Sequence, residues 1–173
     1  YKSKKTMALN GYSEVVTWSF MDENNAKIIS DEIISLKNPI STDLNTMRPS
    51  TLPNLLEAIN QNKSRMYLRA KIFEVGPNFS KLLSDQQENV ATAIAYGSSD
   101  EQNWLSNKKN IDVFNIKADL FSILANLNVP IDNLLYEKLE GKIYHPGKSS
   151  SLRLGKNKIA NFGELHPSII KDI

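Results

Sequence analysis

Two histidines and a run of serines are the residues of this chain whose types could do chemistry. His145 and His166 each precede a proline, and Ser149, Ser150 and Ser151 follow His145 within a few positions. A histidine base beside a serine nucleophile would suit acyl transfer, but only nearness in the sequence joins these residues. The simpler interpretation is that each His-Pro pair stiffens a turn at a strand end, with a locally hydrogen-bonded imidazole.

The same histidines would need a carboxylate from Glu164 or Asp172 to hold a metal ion, and their spacing does not match HExxH. The chain has no cysteine, which excludes thiolate zinc sites, disulfides and a cysteine nucleophile. The absence of GxxxxGK[ST] and GxGxxG argues against a P-loop enzyme and a Rossmann oxidoreductase. The sequence therefore assigns no catalytic, cofactor-binding or metal residue.

Arg48 is the charged residue with the most informative position. It precedes Pro49 and so lies in extended backbone just before a predicted helix. Its side chain can face a ligand or a partner at a sheet end, or it can form a structural ion pair with Asp43, Glu57 or Glu74. The sequence leaves both interpretations open.

Length and composition indicate a soluble globular chain. The 173 residues, 40% of them hydrophobic, are enough for one domain with a sizeable core. The formal net charge of +2 does not indicate a nucleic-acid binder, although a local basic patch can exist. No apolar run is long enough to cross a membrane. Both ends look cut from a longer polypeptide, and we expect a single domain over residues 1–173.

The first half of the chain shows clear local patterns. The segment before the predicted helix contains Arg48, Ser50 is its predicted N-cap, and Pro53 falls in its first turn, where a missing N–H costs little. Leu52, Leu55, Leu56 and Ile59 form one apolar helical face. Upstream we predict a helix near Lys2 to Asn10 that stops at Gly11, a strand from Glu14 to Phe20, a helix over Glu23 to Ile29 capped by Asp22, and a short strand within Glu32 to Pro39.

The second half reads as strands with interspersed helices. We predict strands from Tyr67 to Val75, which ends at Gly76-Pro77, and from Val90 to Tyr96, which has alanines on one face. An extended segment from Ile111 to Phe114 leads to a helix that is capped by Asn115 and contains Leu120, Phe121, Leu124 and Leu127. A short helix at Pro130 and Asp132 and strands within Lys142 to Tyr144, Ser151 to Leu154 and Lys158 to Glu164 follow. This order favours an α+β fold with a largely antiparallel sheet.

Six motifs in order resemble one family. They are GYSEVVTWSF (11–20), NPISTDLNTMRPSTLPNLLEAINQN (38–62), KIFEVGPNF (71–79), VFNIKADLFSIL (113–124), YHPGKSSSL (144–152) and GELHP (163–167). Together they resemble the catalytic-like core of the phenylalanine–tRNA ligase beta subunit. Each motif alone is weak, but the set runs from Gly11 to the end of the chain.

The resemblance implies a class II aminoacyl-tRNA synthetase fold, an antiparallel sheet flanked by helices. It also implies a non-catalytic structural domain, which assembles with the catalytic alpha subunit in a heterotetramer of two alpha and two beta subunits. That enzyme, a cytoplasmic one, attaches phenylalanine to its tRNA with ATP and magnesium. The family's magnesium ligands would lie upstream of Tyr1, so the resemblance implies no cofactor bound by this chain.

Position 80 supports the non-catalytic interpretation. In the active class II enzymes that the chain resembles, the strand after such a helix ends in an aromatic residue followed by an ATP-binding arginine. This sequence has Phe79 followed by Ser80. Lys81 comes one position late. The alternative is a catalytically competent class II ligase domain that lacks its last motif. For the surface that meets the alpha subunit, the alanine face of Val90 to Tyr96 and the aromatic Trp104 are the candidates.

Overall fold

A computed structural model describes residues 1–81, 87–99, 109–139 and 141–172. The chain divides into two compact units. One unit comprises Tyr12–Ile94, and the other combines Tyr1–Gly11 with Ala95–Asp172. We describe each unit by itself, and the single domain expected over residues 1–173 stays a prediction. Trp104 lies outside the described residues.

The described residues form five α-helices and nine strands. The helices are α1 (Lys2–Leu9), α2 (Glu23–Ile29), α3 (Leu52–Ser64), α4 (Val113–Asn126) and α5 (Pro167–Asp172). The strands are β1 (Ser13–Glu14), β2 (Phe20–Met21), β3 (Ile34–Ser35), β4 (Thr46–Met47), β5 (Ala70–Phe79), β6 (Gln87–Tyr96), β7 (Leu135–Glu137), β8 (Tyr144–Leu154) and β9 (Asn157–Leu165). No helix of the described part is long and apolar enough to cross a membrane.

The strands form three sheets of three strands each, in the orders β1-β5-β6, β2-β4-β3 and β7-β8-β9. The second and third sheets are antiparallel, whereas β1 pairs with β5 in parallel. Helices and largely antiparallel sheets together confirm the predicted α+β fold class. The helix stop at Gly11 is also confirmed, because α1 ends just before it and Gly11 has a φ of 81°.

Helix α3 supplies much of the core of the Tyr12–Ile94 unit. Leu52, Leu55, Leu56 and Ile59 are buried as predicted, and α3 packs against β5, which buries Phe73. The predicted N-cap is displaced by one residue. Thr51 occupies the cap position without a side-chain cap, and the hydroxyl of Ser50 accepts a hydrogen bond from the N–H of Leu52 at 3.1 Å.

The predicted strand from Glu14 to Phe20 is wrong as one element. The pairing with β5 ends where Val15 N–H donates to Phe73 O at 2.8 Å, and β2 begins only at Phe20. Between them the backbone leaves the sheet. Val16 and Trp18 are both exposed there, so the alternating pattern does not mark a strand with one buried face. The short helix α2 is confirmed, since the Asp22 carboxylate accepts from its first N–H groups.

The predicted strand end at Gly76-Pro77 is also wrong, because β5 continues to Phe79. Pro77 lacks an N–H, but its carbonyl accepts a hydrogen bond from Arg48 Nε at 2.9 Å. The Arg48 side chain requires a glycine at position 76, because a Cβ there would lie 2.6 Å from Arg48 Nη2. A Gly-Pro pair that indicates a turn in isolation here accommodates a buried guanidinium within a strand.

In the other unit, α4 packs on the β7-β8-β9 sheet through a core of Leu124, Leu134, Leu152 and Phe162. The prediction that Asn115 caps this helix, after an extended Ile111 to Phe114, is wrong by three positions. Asp112 is the N-cap, and Asn115 completes a capping box by accepting from the Asp112 N–H at 2.9 Å. Asp and Asn both favour the N-cap position, and here Asp112 is the N-cap while Asn115 occupies the N3 position of the capping box.

Strand β8 joins two of the predicted strands into one of eleven residues. Tyr144 pairs with Leu165 and Ser149 with Gly163, so the stretch between Tyr144 and Ser149 forms an irregularity in the ladder. Pro146 lies in that irregularity, where a missing donor is tolerated. The short helix predicted at Pro130 is present as a 3₁₀ turn over Ile131–Asn133, and β7 was not predicted.

Candidate functional site

The Arg48 side chain lies at the centre of the Tyr12–Ile94 unit and is 1% exposed. Its Nη1 donates to Glu74 Oε1 at 2.8 Å and to Thr17 Oγ1 at 2.9 Å, and Thr17 Oγ1 donates in turn to Glu74 Oε2 at 2.6 Å. Of the two interpretations left open by the sequence, the geometry selects the structural ion pair with Glu74. A guanidinium this buried and this well paired does not face a ligand.

The same guanidinium fixes the backbone of the segment that leaves the sheet. The carbonyl of Trp18 accepts from Arg48 Nη1 at 3.5 Å and from Asn54 Nδ2 at 3.3 Å. The Trp18 side chain is nevertheless 68% exposed. A large aromatic side chain is thus held outside the core on an anchored backbone.

Trp18 borders a cavity of about 470 Å³, which we call the Trp18 cleft. Asp22, Asp43 and Glu57 contribute three carboxylates to it, and no lysine or arginine is among its described lining residues. Its lining consists of Trp18, Phe20, Met21, Asp22, Asn25, Asp43, Leu44, Pro53, Asn54 and Glu57. Within the described part of the chain, the Glu57 carboxylate has no ion pair. The cleft therefore combines an exposed aromatic face with unneutralised negative charge.

Strand β5 ends at Phe79, and Ser80 follows it directly. Lys81, the next residue, is exposed in a turn and no longer part of the strand. The aromatic residue, the serine and the end of the strand therefore coincide as the sequence indicated. The roles inferred for these positions stay predictions.

The two histidines are separate local features. His145 is the second residue of β8, and its Nδ1 accepts from the Gly147 N–H at 3.2 Å. It therefore lies near a strand end as predicted, but within the irregular part of the strand rather than in a turn. His166 follows β9, and its Nδ1 lies 2.7 Å from Ser168 Oγ at the start of α5. The local hydrogen bond predicted for each imidazole is confirmed. In the residues that the structure describes, no group of three or more histidines and carboxylates could hold a metal ion.

The serines next to His145 do not meet its imidazole. Ser149 Oγ donates to the His145 carbonyl at 2.9 Å, and Ser150 Oγ donates to the Glu137 carbonyl at 3.0 Å. Ser151 is buried on the central strand of its sheet. Next to this run, burial raises the pKa of the Tyr144 hydroxyl, so the phenol stays neutral. In the part of the chain that the structure describes, no hydrogen bond joins a hydroxyl of this serine run to an imidazole or carboxylate side chain.

Strand β6 contains the other surface that the sequence singled out. Ala91 and Ala93 are exposed, whereas Val90, Thr92 and Ile94 on the alternate positions are half-buried. Small residues therefore do occupy an open strand face. The sequence reasoning missed the Trp18 cleft, because Trp18 was placed in a strand and its neighbours Asp43 and Glu57 are distant in the sequence.

Solved structures identify the class of the fold. The chain resembles a pyrrolysyl tRNA synthetase from Desulfitobacterium hafniense with a TM-score of 0.68 at 15% sequence identity, over 92% of this chain and 53% of that one. A crystal structure of the pyrrolysyl-tRNA synthetase from the same organism matches with a TM-score of 0.67 at 14% identity, over 92% and 55%. At such identities the likeness shows the fold alone. The chain has the fold of the class II aminoacyl-tRNA synthetases, as predicted.

The amino-acid sequence then gives the family. The model of the "Phenylalanyl tRNA synthetase beta chain CLM domain" matches residues 1–173, and the chain belongs to this family. The phenylalanine–tRNA ligase beta subunit of Cereibacter sphaeroides is 35% identical over 99% of the chain, and that of the Wolbachia of Brugia malayi is 39% identical over 95%. The chain spans 21% of the length of each of these relatives.

Proposed function

We propose that the chain is a non-catalytic structural domain of the beta subunit of a phenylalanine–tRNA ligase. Its role is to assemble with the catalytic alpha subunit, in a complex of two alpha and two beta subunits. In this way it supports the ATP-dependent attachment of phenylalanine to its tRNA. ATP and magnesium belong to the assembled enzyme, and no residue of this chain contacts the reacting groups.

Ser80 is the observation that carries the non-catalytic part of the proposal. At the end of β5 a catalytic domain needs an arginine, whose planar, permanently charged fork matches a phosphate. A serine hydroxyl has no charge to offset a triphosphate. Arg48 does not replace the missing arginine, because Glu74 and Thr17 hold it inside the unit.

The Trp18 cleft supports the assembly part of the proposal. Tryptophan is enriched among the interface residues that dominate binding energy. The three carboxylates of the cleft complement a basic side chain, and we assign that side chain to the alpha subunit. Cation–π contact with the indole and charge pairing with Asp43 or Glu57 would act together there.

The experiment measures ATP–pyrophosphate exchange by the full-length beta subunit alone, the alpha subunit alone and the assembled enzyme. We expect no exchange from the beta subunit alone. In the assembled enzyme, Ser80→Ala should leave the exchange rate within about two-fold of wild type, because no transition-state contact is lost. Exchange by isolated beta subunit, or tight ATP·Mg binding to it in calorimetry, would support a competent ligase domain instead.

Assembly is tested with Trp18→Ala in the full-length beta subunit, by measuring its affinity for the alpha subunit. The affinity should fall about ten-fold or more, as for a central aromatic contact. The matched control is Ile40→Ala, since Ile40 is an exposed apolar side chain of the same unit outside the cleft. Equal effects of the two substitutions would remove the cleft from the interface.

A further inference from the structure

A second cavity, of about 510 Å³, lies at the β7-β8-β9 sheet, and we call it the Ser151 pocket. Its lining residues are Glu137, Lys138, Leu139, Ser151, Arg153 and Lys158. Leu152 points into the core against α4, so its neighbours Ser151 and Arg153 point to the opposite face of the strand. The pocket therefore lies on the face of the sheet that α4 does not cover.

Ser151 is the unexplained group of this pocket. It is 4% exposed, yet its Oγ has no hydrogen-bond partner in the described part of the chain. Buried hydroxyl groups are nearly always paired, because an unpaired one loses its bonds to water without replacement. Arg153 Nε, which lines the same pocket, is also buried without a partner among the described residues. Two buried hydrogen-bond donors of the pocket's lining residues thus have no partner in the part of the chain that the structure describes.

The other charged groups of the pocket are the ammonium groups of Lys138 and Lys158 and the carboxylate of Glu137. Arg153 Nη1 donates to Glu137 Oε1 at 3.0 Å and its Nη2 to the Lys156 carbonyl at 2.7 Å, which fixes the plane of the guanidinium. Lys158 is the cross-strand partner of Arg153, and such partners share one face of the sheet. Lys138 and Lys158 are exposed, and within the described residues neither ammonium has an ion pair.

Because Glu137 offsets the charge of Arg153, the two lysines give the pocket its net positive charge. Together with a hydroxyl and a guanidinium N–H, they suit a tetrahedral oxyanion, and phosphate above all. The surrounding hairpin agrees. Between residues 135 and 165, which include all the lining residues, there are six lysines and arginines and three acidic residues, a net charge of +3 against +2 for the whole chain. A near-neutral chain therefore carries a local basic surface, which is the electrostatic footprint of contact with a nucleic-acid backbone.

We propose that the Ser151 pocket binds a backbone phosphate of RNA. Ser151 Oγ and Arg153 Nε donate hydrogen bonds to the phosphate oxygens, and Lys138 and Lys158 neutralise the charge. This inference rests on the proposed function, in which the assembled enzyme binds tRNA. It adds a site on this chain that contacts the tRNA backbone without reading its bases.

The test measures tRNA affinity of the assembled enzyme as a function of salt concentration. Lys158→Met should weaken binding and reduce the slope of log K against log salt by about 0.7 to 0.9, the value for one phosphate contact. Lys156→Met is the matched control, because it removes the same charge from the same hairpin outside the pocket. It should leave the slope closer to wild type.

Ser151→Ala separates the pocket from general electrostatics. It should weaken tRNA binding about three- to ten-fold with little change of slope, since a neutral hydrogen bond to a charged group is lost. Equal effects of Lys158→Met and Lys156→Met, or an unchanged affinity of Ser151→Ala, would overturn the proposal.

Adding inorganic phosphate at constant ionic strength tests whether the pocket is instead a site for a small anion. Suppose that phosphate protects the wild-type protein but not the Ser151→Ala variant against thermal unfolding, and that the substitution does not change the affinity for tRNA. The pocket then binds a small anion, and the RNA assignment is overturned. Failure of the wild-type subunits to assemble would instead contradict the proposed function. If the subunits assemble and charge tRNA, but the variants bind tRNA as the wild type does, only this inference is contradicted.

Discussion

The two units each hold an arginine–glutamate pair, and the pairs differ in almost every other respect. Arg48 and Glu74 are joined at 2.8 Å with side chains 1% and 5% exposed, and Thr17 bridges them. Arg153 and Glu137 are joined at 3.0 Å with side chains 36% and 48% exposed. The first pair is enclosed by its own unit, and the second borders an open cavity.

The difference teaches how to separate structural charge from functional charge. Arg48 donates to a carboxylate, a hydroxyl and two backbone carbonyls, so its unit supplies what a buried cation needs. Arg153 keeps a buried Nε without a partner in the described residues, beside Ser151 in the same state. Burial alone does not indicate function. Buried donors left unpaired at a cavity are the stronger sign of a binding site.

The largest expected effect comes from breaking the enclosed pair. Glu74→Gln leaves the Arg48 charge buried without its counter-ion and should lower the free energy of unfolding by about 3–5 kcal/mol. Glu137→Gln, which breaks the exposed pair, should change it by less than about 1 kcal/mol. Urea denaturation of the 173-residue chain measures both. Similar losses for the two variants would show that the pairs are not different in kind.

A smaller loss is expected from crowding the same guanidinium. Gly76→Ala places a Cβ 2.6 Å from Arg48 Nη2 and should cost about 1–3 kcal/mol, because the enclosed side chain has no room to move. Gly147→Ala is the control, since its Cβ would meet nothing closer than 3.7 Å. If Gly76→Ala is as stable as Gly147→Ala in the same denaturation measurement, the Arg48 site is looser than its contacts indicate.

Local sequence patterns predicted the elements whose causes are local. The apolar face of α3, the Asp22 cap of α2 and the helix stop at Gly11 depend on residues within a turn or two, and all are confirmed. Motif order predicted the class II fold, because a family pattern carries tertiary information that periodicity lacks. Ser80 was likewise placed at its strand end by a motif.

The misplaced caps at Ser50 and Asn115 are local errors of one and three positions, whereas the error at Gly76-Pro77 arises because a distant residue decides the local structure. The Gly76-Pro77 pair would make a turn by itself, but Arg48, 29 residues away from Pro77, hydrogen-bonds its carbonyl and keeps the strand going. The Trp18 cleft and the Ser151 pocket escaped prediction for the same reason. The carboxylates of the cleft come from separate elements. The two buried donors of the pocket both lie on β8, but Lys138 and Lys158 come from the segment after β7 and from β9.

The buried hydroxyls of Thr51 and Ser151 extend the comparison between the two units, because the first has a hydrogen-bond partner and the second has none among the described residues. Thr51 is fully buried, and its Oγ1 donates to Thr92 Oγ1 at 2.6 Å. Thr51→Val keeps the shape but leaves the Thr92 hydroxyl without this partner. The free energy of unfolding should fall by about 1 kcal/mol, the usual contribution of one hydrogen bond. An unchanged stability would mean that water replaces the lost hydroxyl.

Ser151→Ala is the smallest expected effect and the most informative. Because Ser151 Oγ has no partner among the described residues, its removal breaks no hydrogen bond and relieves an unpaired buried group. The free energy of unfolding of the chain should therefore stay within about 0.5 kcal/mol of wild type or rise slightly, in contrast to Thr51→Val. A loss as large as that of Thr51→Val would mean that the hydroxyl is already satisfied within the unit. Ser151 would then belong with Arg48 among the structural residues, and the pocket would lose its central donor.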